Sequence, residues 1–280
     1  MLELAEEVIR LSDESHQAQE MKMEMNYVKG RYKIAVGEYD TGVSCIQKSM
    51  EFAETLGEKK MLLNNLKQMI FYGIQVEDME QVHTYVQRGL QMLEAEEKNS
   101  EEKGVFIRLK GWYLLHKGNY QEAEQVLWEA MEIFRNCVSD REYFSMSIAA
   151  CQGYLGDLSR AKGDFEKARE YYQAAIELGT GKVVTNGLGQ FYSSMGQVLY
   201  LEKQYEEADE YLEKAVSCLK SHGYYWGLER ALAYRAMLLW ETGKQEEAKL
   251  CYEESWKISH KIKNPTTISI LKQVENYINH

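Results

Sequence analysis

A cassette of six residues recurs along this chain about every 40 residues, and this period constrains the fold more than any other feature. Each cassette begins with a turn residue, usually has an aromatic or apolar residue in third place, and ends with a small residue. The third residues lie at 39, 79, 120, 165, 205 and 245, so the steps are 40, 41, 45, 40 and 40 residues. Units of this length cannot bury their apolar faces alone, so the sequence predicts that they stack into a helical array. The cassettes are Gly37–Gly42, Glu77–Val82, Gly118–Ala123, Gly163–Ala168, Lys203–Ala208 and Gly243–Ala248.

Residues 189–222 indicate how one repeat is built. Apolar side chains at helical intervals over 189–201 predict a first helix, in which Gly196 marks a close approach of a neighbouring helix. A second helix follows the turn, and Tyr205 is expected to fill the wedge between one helix pair and the next. The apolar stripe of this second helix consists of Tyr205, Ala208, Leu212, Ala215 and Leu219.

This order of small and aromatic residues resembles the tetratricopeptide repeat family. The same order recurs as Gly111, Tyr120, Ala123, Leu127 and Ala130, and again as Gly156, Phe165, Ala168, Tyr172 and Ala175. Each unit is about six residues longer than the usual 34, which is similar to the repeat domains of MalT-like activators and peptide-sensing bacterial regulators. The resemblance implies an all-α fold, a right-handed α-solenoid of about six helix-turn-helix repeats with terminal capping helices.

The sequence predicts one domain over residues 1–280, because it contains a single proline, Pro265, and no segment with the composition of a linker. A partial repeat or cap is expected at 1–17 and a capping helix at 265–280. The predicted repeats are 18–57, 58–98, 99–138, 139–183, 184–223 and 224–263.

Two irregularities interrupt this scheme. Residues 3–11 resemble the second half of a second helix without the first helix that should precede it, which fits either a fragment of a longer protein or a simple cap. The 45-residue step adds about five residues between the third and fourth units, and we place them around Arg135–Tyr143. Insertions of this kind map to loops on one rim of a repeat array.

Composition argues against several classes of protein. The chain has 33 Lys and Arg against 44 Asp and Glu, a net charge of −11, and an acidic surface repels phosphate backbones, so no direct nucleic-acid binding is expected. The start lacks the pattern of a signal peptide and no long apolar stretch occurs, so we expect a cytoplasmic protein without a membrane partner. Five cysteines without CxxC spacing favour reduced, packed thiols.

Catalytic and metal-binding patterns are missing from the sequence. The six histidines form no HExxH motif and no cluster with cysteine, and the glycines of 179–189 match neither a phosphate-binding loop nor a dinucleotide fingerprint. The sequence therefore predicts no enzyme, no cofactor and no metal.

The resemblance also implies a concave groove lined by the first helix of each pair. Five cations against two acids, Glu24 and Asp157, predict a locally positive surface in an otherwise acidic protein. The implied groove residues are Tyr27, Arg31, Asn64, Lys67, Phe71, Arg108, Trp112, Asp157, Arg160, Gln190, Gln197, Tyr200, Arg230 and Trp240.

Guanidinium, amide and aromatic groups together suit an extended peptide, because they bind carboxylates, backbone amides and apolar side chains respectively. We therefore expect a protein- or peptide-binding module, the sensory or interaction part of a bacterial signalling regulator. The alternative is a structural scaffold, or a homodimer formed through the outer face or the terminal helices. It is motivated by the aromatic residues Tyr224, Tyr225, Trp226, Trp240, Tyr252 and Trp256.

Overall fold

A computed structural model describes residues 15–94, 100–137, 141–180, 186–221, 223 and 225–278 of the chain. The described residues form 13 helices and no strand, which confirms the predicted all-α fold. They belong to two compact units, residues 1–91 (unit 1) and residues 92–280 (unit 2). The prediction of a single domain stays a prediction.

Unit 1 contains two antiparallel helix pairs. Helices α1 and α2 pack closely because both carry glycine at their crossing: a Cβ atom on Gly30 would lie 2.7 Å from Cδ1 of Ile46, and one on Gly42 would lie 2.7 Å from Cγ1 of Ile34. Tyr39 donates a 2.9 Å hydrogen bond to Gln75, which ties α2 to α3. The helices are α1 (His16–Ala35), α2 (Tyr39–Leu56), α3 (Lys59–Val76) and α4 (Met79–Met92), the last of which ends one residue past the unit boundary.

Unit 2 by itself also consists of antiparallel helix pairs and has nine helices in its described part. The two helices of each pair pack together, and the first helix of each pair also contacts the first helix of the next pair. We call α5, α7, α9, α11 and α13 the first-helix layer. The helices are α5 (Glu101–His116), α6 (Tyr120–Asn136), α7 (Arg141–Ala161), α8 (Phe165–Gly179), α9 (Asn186–Leu201), α10 (Tyr205–Ser221), α11 (Leu228–Glu241), α12 (Gln245–Ile262) and α13 (Pro265–Ile278).

The turn residue that opens each cassette ends the first helix of its pair in the left-handed conformation. In the fifth cassette Lys203 has φ 63°, its N–H donates to the carbonyl of Tyr200, and the N–H of Gln204 donates to the carbonyl of Leu199. These two bonds define a Schellman C-cap. The cassette residues with positive φ are Gly37, Glu77, Gly118, Gly163, Lys203 and Gly243, so the cassette period is the period of these caps.

The small residue that closes each cassette lies in the core. Ala123, Ala168, Ala208 and Ala248 are all 0 % exposed, and so is Val82 in the second cassette. The aromatic positions are less uniform, because Tyr39 is 8 % exposed whereas Tyr120, Phe165 and Tyr205 are only half-buried. The predicted wedge role therefore fits Tyr39 best. Because the other three rings are only half-buried, their removal should leave smaller cavities than removal of a fully buried ring would.

The additional residues of the 45-residue step lengthen a helix. Helix α7 has 21 residues, whereas α5 and α9 have 16 each. The predicted insertion around Arg135–Tyr143 falls partly outside the described residues, which stop at 137 and resume at 141 inside α7. At least part of the added length is therefore helical.

Candidate binding surface

The first-helix layer of unit 2 contains a hydrogen-bonded group of three side chains. Arg160 donates from Nη2 to Oδ1 of Asp157 at 3.1 Å and from Nε to the hydroxyl of Tyr172 at 3.3 Å. The same hydroxyl donates to Asp157 at 2.7 Å. Both charged residues lie on α7, three positions apart, and Tyr172 reaches them from α8. The guanidinium of Arg160 is thus neutralised within the protein, which reduces the positive charge predicted for this surface.

Arg108 and Trp112 were both predicted to line the groove, and the structure places them in different environments on α5. The guanidinium of Arg108 lies 5.9 Å from the ring centre of Tyr154 on α7, an arrangement that holds its charge over an aromatic face. Trp112 is only 6 % exposed and stacks on His116 with ring centres 3.8 Å apart. Trp112 therefore belongs to the core and offers a ligand little surface.

The two glutamines of α9 that were predicted to line the groove already make hydrogen bonds within the protein. Gln190 donates to the backbone carbonyl of Trp226 at 3.0 Å, which connects α9 to the segment before α11. Gln197 is 5 % exposed and donates to the hydroxyl of Ser193 at 3.1 Å. Each amide retains a carbonyl oxygen, but the side chain of Gln197 is too buried to contact a ligand extensively.

Tyr200 belongs to a group of aromatic and acidic side chains at the C-terminal ends of α9 and α11. Its hydroxyl donates to Glu241 at 2.5 Å, and the hydroxyl of Tyr205 donates to the other carboxylate oxygen at 2.8 Å. Burial and the bond to Glu241 raise the pKa of Tyr200. The ring of Tyr200 also meets Tyr234 edge to face at 6.3 Å. The sequence did not reveal this group, because its members belong to different repeats.

Arg230 and Trp240 lie on α11. The Nε atom of Arg230 is buried and has no hydrogen-bond partner among the described residues. Beside it, Glu229 is 0 % exposed, and burial raises the pKa of its carboxyl to about 7 although the charge of Arg230 acts in the opposite direction. Trp240 is half-buried against the core around Leu238 and Leu239. These two predicted residues thus present only part of their side chains to the surface.

The predicted residues of unit 1 lie on α1 and α3. Arg31 is exposed, and its guanidinium lies 5.3 Å from the ring centre of the half-buried Tyr27. Asn64, Lys67 and Phe71 recur at intervals of three and four along α3, and each is partly exposed. Their side chains share one face of α3, as the sequence implied. A role in binding remains a prediction for all of them.

Sequence reasoning missed the most exposed apolar residues of unit 1. Met21, Val28 and Tyr32 of α1 are 43, 56 and 54 % exposed. They recur at intervals of seven and four residues, a spacing that was present in the sequence. The repeat pattern drew attention to Glu24, Tyr27 and Arg31 instead, which lie on a neighbouring side of the same helix.

The aromatic residues on which the scaffold hypothesis depends are mostly packed against other residues of unit 2. Tyr252 and Trp256 of α12 meet edge to face at 6.3 Å and pack against Ile270, Leu271 and Val274 of α13. Trp226 and Tyr225 are half-buried, and Tyr224 lies outside the described residues. The C-terminal helix therefore occupies much of the surface that the sequence offered to a partner.

Within the described ranges of the chain, no three His, Cys, Asp or Glu side chains are grouped so that they could hold a metal ion. Among the same residues, no helix combines the length and apolar character needed to cross a bilayer.

Comparison with family models connects unit 2 to known repeats. Models described as tetratricopeptide repeat match residues 110–136, 154–178 and 189–217. These segments lie within the pairs α5–α6, α7–α8 and α9–α10, and they include the caps and buried small residues described above. No curated protein matches the sequence.

Solved structures extend the likeness over nearly all of the chain. A Rap protein complexed with competence and sporulation factor has a TM-score of 0.66 at 14 % identity, covering 96 % of this chain and 79 % of its own. PlcR of Bacillus thuringiensis, in complex with the peptide PapR7 and DNA, has a TM-score of 0.63 at 12 % identity, with 84 % of each chain covered. Aspartyl phosphate phosphatase F from Bacillus subtilis has a TM-score of 0.60 at 13 % identity and covers 98 % of this chain and 72 % of its own. At these identities the likeness is one of fold.

Proposed function

We propose, from the premise that this chain is a repeat protein of the tetratricopeptide type, that it binds a peptide or an extended segment of a partner protein without catalysing a reaction. The segment would lie along the first-helix layer. We further propose that the chain serves as the sensory or interaction part of a bacterial regulator. In this proposal the chain itself makes no direct contact with nucleic acid.

The observation that supports this proposal most directly is the composition of the first-helix layer in unit 2. Partly exposed guanidinium, amide and phenol groups follow one another along α5, α7, α9 and α11. Such groups bind a peptide through its carboxylates, backbone amides and apolar side chains. Several are held in place by bonds to the protein, as Gln190 is by the carbonyl of Trp226. A surface held in this way loses little conformational entropy on binding.

The comparisons support the proposal by analogy of fold. Two of the similar structures contain a bound factor or peptide: the Rap protein with competence and sporulation factor, and PlcR with PapR7. A third neighbour is named a phosphatase, but a fold likeness at 13 % identity assigns no chemistry to this chain. A binding role is therefore the function that these structures favour.

Arg108 and Arg230 are the best candidates for contacts with ligand carboxylates. Arg160 is already paired with Asp157, whereas the guanidinium of Arg108 faces only the ring of Tyr154 in its described contacts. The Nε atoms of both Arg108 and Arg230 are buried without a hydrogen-bond partner among the described residues, so a ligand would contact the partly exposed remainder of each side chain. A guanidinium binds a carboxylate more tightly than a neutral donor does, because it offers both a positive charge and paired hydrogen bonds. We therefore expect the ligand to carry at least one acidic group or a free C-terminus.

A library of synthetic peptides of five to eight residues tests the proposal. Binding to the folded chain is measured by fluorescence polarisation, and the strongest binders are measured again with Arg108→Glu and Arg230→Glu. Each reversal should weaken binding about tenfold or more, because it places like charge against the ligand. The matched control is Lys214→Glu on α10, because Lys214 is exposed, pairs with Glu210 one turn away and lies over the ring of Tyr211.

Two results would count against the proposal. If the library contains no binder for the wild type, short peptides are not the ligands of this surface. If binders exist but Lys214→Glu weakens them as much as Arg108→Glu, the interaction is a general effect of net charge. Circular dichroism of every variant must show the helical content of the wild type for either result to stand.

A further inference from the structure

The side of α1 that faces away from α2 carries a continuous apolar stripe. Seven large apolar side chains are exposed among the described residues, and three of them, Met21, Val28 and Tyr32, lie on this one helix. They occupy the side of α1 opposite Gly30 and Ile34, which are buried against Ile46 and Gly42 of α2. Apolar patches of this kind mark surfaces that bind another molecule.

The spacing of the stripe is that of a coiled-coil seam. With the half-buried Met25, the apolar residues fall at 21, 25, 28 and 32, which gives steps of four, three and four. Apolar residues repeating every 3.5 residues form the a and d positions of a heptad, and a partner helix inserts its own side chains between them. An extended peptide presents alternate side chains at a two-residue period, so it fits this stripe less well than a helix does.

The charges beside the stripe are complementary to those of a second α1 helix. Glu24 lies at a g position on one flank, and Lys29 lies at an e position on the other. In a parallel pair, residue g of one helix meets residue e of the next heptad of its partner. Glu24 of each copy would thus face Lys29 of the other, and two-fold symmetry would form this pair twice. An antiparallel pair would place Glu24 opposite Arg31 of the other copy, but it would also bring the lysines at 22 and 29 together, so the parallel pair has the better balance of charge.

We propose that two copies of this chain associate through a parallel, two-fold symmetric contact between their α1 helices. The stripe of Met21, Met25, Val28 and Tyr32 forms the centre of the contact, and the Glu24–Lys29 pairs fix its direction. One helix from each copy supplies a small interface, so the dimer dissociates on dilution. The residues of this contact belong to unit 1, whereas the arginines to which the peptide is assigned belong to unit 2.

Sedimentation equilibrium of the full chain over a wide range of concentration tests the proposal. The wild type should pass from monomer to dimer, and Val28→Asp should weaken the dimer about tenfold or more, because it places a charge at the centre of the seam. Leu250→Asp is the matched control, since Leu250 of α12 is 68 % exposed but has no comparable stripe around it. Equal loss with both variants, or a wild type that stays monomeric at the highest concentration, would overturn the proposal.

Charge reversal tests the direction of the contact and does not depend on the folding of a core variant. Glu24→Lys alone should weaken the dimer, and Glu24→Lys combined with Lys29→Glu should restore it. In an antiparallel contact Glu24 faces Arg31 of the other copy. If Glu24→Lys with Arg31→Glu restores the dimer, and Glu24→Lys with Lys29→Glu does not, the contact is antiparallel and the parallel arrangement is wrong. Peptide binding measured on the same variants separates the two surfaces: if Val28→Asp abolishes peptide binding in a protein that is always monomeric, the stripe belongs to the ligand site instead.

Discussion

The hydroxyl of Tyr172 lies 2.7 Å from Oδ1 of Asp157 and donates a hydrogen bond to it, which fastens α8 to α7 from within the core. Tyr172 is 0 % exposed. Burial, followed by the negative charge of Asp157, raises the pKa of this hydroxyl well above its ordinary value. The hydroxyl therefore remains protonated and keeps donating around neutral pH. Arg160 completes the group and shares its charge with Asp157.

Tyr172→Phe removes this donor while it keeps the ring. We expect the free energy of unfolding to fall by about 1 kcal/mol, the usual contribution of one hydrogen bond, with some addition because Asp157 loses a partner. Urea unfolding followed by circular dichroism measures the change. Tyr171→Phe on the same helix is the control, because Tyr171 is half-exposed. Equal effects of the two variants would show that the bond to Asp157 contributes nothing specific.

The buried carboxyl of Glu229 makes stability depend on pH. Burial raises its pKa from 4.5 to about 7 in the folded protein. The folded state therefore favours the protonated form, and this contribution to stability is complete below pH 4.5 and is lost as the pH rises to about 7. Glu229→Gln keeps a neutral side chain of similar shape at every pH. We expect the variant to be more stable than the wild type at pH 8 by an amount on the order of 2 kcal/mol.

The difference between Glu229→Gln and the wild type should shrink as the pH is lowered to 5, where the wild-type carboxyl is protonated. Urea unfolding at four pH values between 5 and 8 provides the comparison. Glu253→Gln is the control for the change in net charge, since Glu253 is exposed on α12. A difference that is the same at pH 5 and pH 8 would mean that the carboxyl of Glu229 does not titrate in this range.

Replacement of Lys203 by glycine is expected to stabilise the protein. Its φ of 63° places a side chain in the left-handed region, where four of the five equivalent caps have glycine and only Glu77 does not. A left-handed residue with a Cβ atom costs about 1–2 kcal/mol, which exceeds the entropy that glycine loses on folding. Lys203→Gly should therefore raise the free energy of unfolding by about 0.5–1 kcal/mol. Lys203→Ala, which keeps the Cβ atom, should bring no gain, and an equal gain would assign the effect to loss of the lysine charge.

The sequence predicted the repeat architecture closely because one local rule specifies each cap and each crossing. The left-handed cap requires glycine or an equivalent, and the crossing requires a small residue such as Ala208 or Ala248. Both requirements act within a few residues, so they appear as a periodic pattern. The extra residues before Phe165 were harder to place, because a longer loop and a longer helix give the same change of period.

The binding surface could be predicted much less well, because it depends on contacts between repeats. The register of the cassette identified Arg160 and Gln197 as surface residues, but Asp157 neutralises the first and the second is 5 % exposed. The link between Tyr200 and Glu241 joins residues 41 positions apart. No period within a repeat could have indicated that pair. The exposed stripe of α1, in contrast, follows a heptad that the sequence already contained.

Substitution of Gly196 tests whether the close packing of α9 against α10 is the reason that this position of the repeat has a small residue. A Cβ atom at Gly196 would lie 2.7 Å from Cγ of Leu212 and 3.2 Å from the carbonyl oxygen of Ala208. Overpacking costs about 1–3 kcal/mol, whereas alanine gains about 1 kcal/mol over glycine within a helix. Gly196→Ala should therefore lower the free energy of unfolding by a net value of about 1 kcal/mol.

Gly187→Ala is the matched control on the same helix. The nearest atom to its added Cβ would be the terminal carbon of Met146 at 3.3 Å, which can move aside. This variant should be neutral or slightly stabilising. A double-mutant cycle with Leu212→Ala then isolates the contact: the smaller side chain makes room for the methyl group, so the double variant should be more stable than the sum of the single effects predicts. Additive effects would show that Leu212 does not limit the approach of the two helices.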